Sequence, residues 1–285
     1  MATLAGRPEL CFALAGLGTL NYSFDFGEIA RLRQLQHPPG EVELAGALRN
    51  KALLSAVARH MPSVTHELAV RCSVSDDKDY LVTLGWWIIS ALRTRTLADI
   101  LVPAVSSISW DAIPAVDADS CDIHLIEDVP AARRFGQPAQ ISKGSLDWVN
   151  SHLLTWADLL ERPAFRLAVD SLTTHHQQTN LRMSASALWA GFEALFGVNA
   201  ELRFRLSALA AAYLEDRGPE RLTLYRRIKQ LYDHRSKVVH GAAISEPQLE
   251  THIIEVRELL SRLMCRITEV GSLPSTENYE EQLFT

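Results

Sequence analysis

The chain has 285 residues, 47% of them hydrophobic and 22% charged, and its 28 Lys and Arg against 34 Asp and Glu leave a formal charge of −6. That balance belongs to a packed globular protein of one large domain or two ordinary ones, and it excludes collagen-like, low-complexity and largely disordered chains. An acidic chain does not coat nucleic acid through bulk charge, so any contact with nucleic acid requires a local basic patch.

The four cysteines, Cys11, Cys72, Cys121 and Cys265, form no C-x-x-C pair. Their scatter fits a reducing compartment better than a disulfide-stapled secreted domain. Leu10 to Leu20 is apolar and follows Arg7, loosely like a secretory leader. Pro8 and Glu9 break its basic region, however, and Asp25 and Glu28 follow soon after. The longest greasy stretch, Leu81 to Leu92, falls short of the ~20 residues that span a bilayer and reads as a buried helix. The expectation is a cytoplasmic protein with no membrane contact.

Glu43 to Met61 has helical spacing, with Leu44, Leu48, Leu53 and Val57 near one face. His66 to Val74 alternates as a strand does. Asp79 to Thr94 predicts a helix bearing Trp86 and Trp87, and Leu101 to Ile113 and Cys121 to Ile126 predict strands. Pro130 to Gly144 reads as a linker.

Beyond it the pattern is helical throughout. Ser145 is placed to cap a helix carrying Leu146, Val149, Leu153, Trp156 and Leu159. Further helices are expected over Pro163 to Thr173, Asn180 to Phe196 with Gly197 as stop, Ala200 to Glu215, and Glu220 to His240 with Gly241 as stop. The last begins at Ser245, whose spacing to Gln248 suits a capping box. The expected fold is therefore mainly α: a smaller mixed α+β domain over 1–142, followed by an antiparallel helical bundle over 143–285.

Chemistry concentrates in residues 220–240, ERLTLYRRIKQLYDHRSKVVH. Six basic residues, Arg221, Arg226, Arg227, Lys229, Arg235 and Lys237, face two acidic ones, Glu220 and Asp233, for a net +4 on one helix. Leu224, Ile228, Leu231 and Val238 define its inward stripe, and Arg235 falls on that stripe. A guanidinium there needs either a carboxylate across the bundle or a wet cleft, because unpaired burial of charge is expensive. His240 lies five residues on, about 140° round and about 7.5 Å along the helix, where a long arginine can still reach a ligand that the histidine touches. Histidine gives and takes protons near neutrality.

Leu231 to Gly241, LYDHRSKVVHG, resembles the R-x4-H motif of HEPN domains. With the upstream LWAGFEALFG, Leu188 to Gly197, it is similar to the Apea-like branch of that superfamily. The resemblance covers roughly 145 to 270. It implies a bundle that pairs through the motif helices and, in many members, a metal-independent endoribonuclease without cofactor. Carried over, Arg235 and His240 are the catalytic pair, and a two-fold dimer through the 220–240 helix would set two such pairs round one cleft. Many nuclease members have Asn, Asp or His after the arginine; here it is Ser236.

The residues suit the reaction: the 2′-hydroxyl attacks the adjacent phosphate, histidine assists proton transfer, and arginine offers a planar fork of donors to phosphoryl oxygens. Supporting candidates are Ser236, Lys237, Asp233 and Glu193, the last able to orient Arg235 or Lys237 from the facing helix. Arg226, Arg227 and Lys229 are candidate RNA contacts. His175 and His176 would point about 100° apart on a helix, a poor metal pair, and read as loop or helix-end residues. His234 reads as exposed, and Trp86 and Trp87 as core rather than base-stacking residues. Family analogy adds a toxin-like effector role in bacterial defence, with the N-terminal domain sensing a trigger or binding a regulatory partner. The competing expectations are a non-catalytic module that holds RNA or a nucleotide, and a partner-binding bundle.

Overall fold

The computed structural model describes residues 9–18, 20, 22–71, 77–128, 140–198, 202–239 and 243–275. The expected linker thus falls mostly outside the described residues, as do Cys72, His240 and Gly241. The chain is mainly helical, with an antiparallel sheet in its N-terminal part. By internal packing it divides into two compact units that part between Ser151 and His152. The division falls inside a helix, whereas the change of sequence character lies near 142.

The first unit is built on six strands: β1 (Glu9–Ala15), β2 (Phe24–Phe26), β3 (Ala30–Gln34), β4 (Val64–Arg71), β5 (Ala104–Ser106) and β6 (Ile123–Leu125). Their order is β2-β3-β4-β1-β5-β6, and every neighbouring pair is antiparallel. Leu10 to Ala15 of β1 are all buried because both faces of this central strand are covered. That is why the segment reads as an unbroken apolar run instead of an alternation. Cys11, Ala13 and Ala15 belong to a core with Leu44 and Leu48, Val57, and Trp110 and Ile113.

On the opposite face Phe12 meets helix α3 (Lys78–Thr96), its ring edge-on to Trp86 at 6.3 Å. Gly85 permits this approach, since a Cβ there would overlap the Phe12 ring. Trp86 and Trp87 are only half-buried, so neither is a full core residue as expected.

Two expectations for this unit fail locally. The helix expected over Glu43–Met61 is broken into α1 (Glu41–Ala47) and α2 (Leu54–His60), because Asn50 accepts the Ala52 N–H and starts a 3₁₀ turn over Lys51–Leu53. The strand expected over Leu101–Ile113 shortens to β5, and a 3₁₀ turn over Trp110–Ala115 replaces its end. Glu67 on β4 anchors that turn. Its fully buried carboxylate accepts the Trp110 N–H at 2.8 Å and the Ser109 hydroxyl at 3.0 Å, and pairs with Arg33.

Helix α4 (Lys143–Leu160) crosses into the second unit, which continues with α5 (Pro163–Thr174), α6 (Leu181–Ala194), α7 (Leu202–Leu214), α8 (Pro219–Val239) and α9 (Glu246–Val270). Ser142, not Ser145, serves the start of α4: its hydroxyl oxygen accepts the Ser145 N–H at 3.1 Å. At the start of α9, Gln248 Oε1 accepts the Ser245 N–H at 3.1 Å, the reciprocal half of the expected capping box. Gly197, at φ +59, ends the α6 segment in the left-handed conformation that glycine adopts freely.

Helix α6 packs against α5, α8 and α9, and α7 packs against α8. Trp156, Phe165, Trp189, Phe192, Ile228, Ile253 and Leu260 are fully buried between them. His175 and His176 form a short 3₁₀ turn at the end of α5, the helix-end placement expected, and both are buried. No described helix is long and apolar enough to cross a membrane.

Candidate functional site

Helix α8 carries the candidate residues, and its inward stripe is the one the spacing predicts. Ile228, Leu231 and Val238 are buried and Leu224 is half-buried. Arg235 lies on the edge of that stripe toward α6 and meets Glu193, with Arg235 Nη2 3.1 Å from Glu193 Oε1. Each side chain keeps about a quarter of its surface exposed, at 26% and 23%. Of the two alternatives for a seam arginine, the carboxylate across the helices is the one realised.

The pairing is loose. The only contact with hydrogen-bond geometry runs from Nη2 to Oε2 at 3.5 Å, and Arg235 Nε is buried with no hydrogen-bond partner among the described residues. A guanidinium has five N–H donors, so most of this one stays uncommitted. Its Cζ sits 5.5 Å from the centre of the Tyr232 ring, whose negative face holds the cation in place. Burial raises the Glu193 carboxyl above the usual carboxylate range, and the Arg235 charge opposes the rise. The Tyr232 hydroxyl is raised as well, first by burial and then by the charge on Glu193.

Arg182, in the first turn of α6, reaches the same end of α8, and its Nη1 donates to the Val238 carbonyl at 2.7 Å. Carbonyls of the last helical turn lack intrahelical partners and carry the negative end of the helix dipole, so a guanidinium there both satisfies and neutralises them. Arg182 was not singled out in the sequence. Its spacing of seven to Trp189 and eleven to Glu193 places all three on one face of α6 and would have found it.

His252 of α9 was also missed, although it lies on its helix's stripe between Leu249 and Val256. It is buried and accepts the Trp189 indole N–H at its Nε2, at 3.0 Å. His234 turns toward it, the two rings edge-on at 4.7 Å, and is half-buried where exposure was expected. Burial holds both imidazoles below their ordinary range, His252 at about 4.

The other candidates distribute around α8. Asp233 pairs with Arg203 of α7, away from Arg235, so it does not support that residue. Arg227, expected as an RNA contact, pairs with Glu255 of α9. Arg226 is exposed, and Lys229 lies over the Tyr225 ring at 5.7 Å. Ser236 is half-buried and Lys237 exposed beside the pair. His240 lies outside the described residues. Among the described residues no group of three His, Cys, Asp or Glu side chains is arranged to hold a metal ion. Comparison with known protein families, with curated proteins and with solved structures returns no match to this chain.

Proposed function

We propose that the C-terminal unit is an antiparallel bundle of the HEPN type acting as a metal-independent endoribonuclease. In this reading a homodimer through α8 composes the site, and the protein is a toxin-like cytoplasmic effector in bacterial defence, restrained or triggered by its N-terminal unit. The observation that carries the reading is Arg235: a guanidinium on an otherwise apolar seam, held through one loose charge contact by Glu193, with its remaining donors unspent. Such a group matches the non-bridging oxygens of a phosphodiester, whose charge grows as the 2′-oxygen attacks. His240, five positions on in sequence, is assigned the proton transfers by the resemblance of the motif, a role worth roughly 10²–10⁴-fold in rate. Ser236 and Lys237 flank the phosphate, and Arg226 and Lys229 extend the positive surface along α8.

The test is cleavage of end-labelled RNA by purified protein in the presence of a chelator. Wild type should yield products ending in 2′,3′-cyclic phosphate, and Arg235→Ala and His240→Ala should abolish them while sedimentation still reports a dimer. Equal cleavage by His240→Ala overturns the proposal. The second reading, a module that holds RNA without cutting it, is favoured by the ion pair itself, since Glu193 already neutralises Arg235. RNA retained on a filter with no products, by wild type and His240→Ala alike, would support it.

A further inference from the structure

Helices α8 and α9 line an open pocket, of about 420 Å³, near the start of α9. Leu231 and Pro247 give it apolar walls, and His234 and His252 face it with imidazole rings. Its one cation and one anion, Arg227 and Glu255, are spent on each other. The pocket therefore offers an occupant no net charge.

What it does offer follows from which atoms are already used. Gln230 Oε1 accepts from Arg227 Nη1 at 3.1 Å, and Gln248 Oε1 accepts from the Ser245 N–H at 3.1 Å. Both neighbours are obligatory donors, so the amide oxygens are fixed as the committed ends and both NH2 groups are left as donors. The Thr251 hydroxyl donates to the Pro247 carbonyl at 2.9 Å. In His252, Nε2 accepts from an indole that can only donate, so the neutral ring carries its proton on Nδ1. That atom is buried without a hydrogen-bond partner among the described residues, in a side chain 3% exposed. An unmet buried donor is costly, and this one lies beneath the pocket wall, where it fixes the ring in one tautomer.

We propose that this pocket binds a flat, uncharged ring bearing carbonyl or ring-nitrogen acceptors, of nucleobase size. The Gln230 and Gln248 amides donate to its edge, and the His234 ring lies against it. Planarity suits the His234 ring and the Pro247 face, and donors without charge select an acceptor over an anion. Such a ring comes either from a free nucleoside or from a base within a strand. The proposal stands apart from the ribonuclease reading, because no atom of Arg235 or His240 enters it.

The test titrates the full-length protein with uridine, cytidine, adenosine and guanosine by calorimetry. A second arm uses short 2′-O-methyl oligonucleotides, which no attack through the 2′-oxygen can cleave. Gln230→Glu and Gln248→Glu keep the acceptor oxygen each neighbour needs but replace the donor with an acceptor, so the local fold is preserved. Saturable nucleoside binding, weakened about tenfold or more by either variant, supports a free-ligand site. Binding of the oligonucleotide alone, weakened in the same way, supports a base within a strand. No saturable binding at millimolar concentration of either probe, or binding indifferent to both variants, overturns the proposal.

Discussion

His252 makes the stability of the second unit depend on pH, and His252→Gln isolates the effect. Burial first, then the nearby His234 and Arg227, lower its imidazole from 6.5 to about 4. A lowered histidine is protonated more readily in the unfolded chain than in the folded one, so it destabilises the fold as pH drops below 6.5. Between pH 7.5 and pH 5 the unfolded state gains about 2 kcal/mol from protonation at this position. The folded state gains only about 0.1 kcal/mol at a pKa of about 4. The difference, about 2 kcal/mol, hardly depends on the folded value as long as that value stays well below 5.

Glutamine keeps an acceptor for the Trp189 indole while removing the titration. Urea unfolding followed by tryptophan fluorescence at the two pH values should show the variant losing about 2 kcal/mol less stability on acidification than wild type. His175, lowered to about 3 chiefly by burial, contributes a like amount that persists in the variant. An acid sensitivity unchanged by His252→Gln would mean that the imidazole titrates in the fold as it does in the unfolded chain, and the acceptor assignment at Nε2 would fall with it.

Glu67→Ala should cost the first unit about 3–5 kcal/mol in chemical denaturation, since it strands Arg33 and the Trp110 N–H that the carboxylate satisfies. Gly85→Ala should cost about 1–3 kcal/mol by driving a methyl into the Phe12 ring, and Phe12→Leu in the same chain should recover part of it in the same assay. Glu193→Gln should cost about 1–3 kcal/mol, because Arg235, three-quarters buried, loses its counter-charge while keeping an amide oxygen to donate to. It should tighten RNA retention by removing a charge that competes with phosphate, and slow single-turnover cleavage by releasing Arg235. Weaker retention would show that Glu193 is needed to hold Arg235 in its binding position.

Legibility in the sequence tracked the length of each amphipathic pattern. Helices α5 to α9 were readable because each repeats its apolar stripe over three or more turns, and the α8 stripe placed Arg235 on the seam before Glu193 was seen opposite. The central strand β1 was not readable as a strand, because a segment buried on both faces loses its alternation. Strands β2, β5 and β6, each three residues long, are held by neighbours distant in sequence rather than by local pattern. The break at Asn50 turns on one side-chain acceptor, which periodicity does not register. At the site, Arg235, His252 and Arg182 carry one and the same signal, a polar residue on an apolar stripe, but only Arg235 sits on a helix whose charge also stands out.

The +4 of the 220–240 segment overstates the charge that α8 presents. Arg227 and Arg235 are bound to carboxylates, and Arg221 donates to the Glu215 carbonyl at 2.9 Å. Asp233, in turn, is neutralised by Arg203. Arg221, Arg226, Lys229 and Lys237 are left with no carboxylate partner among the described residues, against the one anion Glu220, a net of three positive charges. A net of three positive charges releases about two counterions from single-stranded RNA, so the log of the binding constant should fall with the log of salt at a slope of about −2 per protomer. Filter binding at several salt concentrations measures that slope, and Arg226→Gln should lower it by about 0.7. A slope much steeper than about −2 would mean that RNA displaces Glu255 and Glu193 from their arginines. The ion pairs of α8 would then act as reserves of charge released on binding, not as fixed braces between helices.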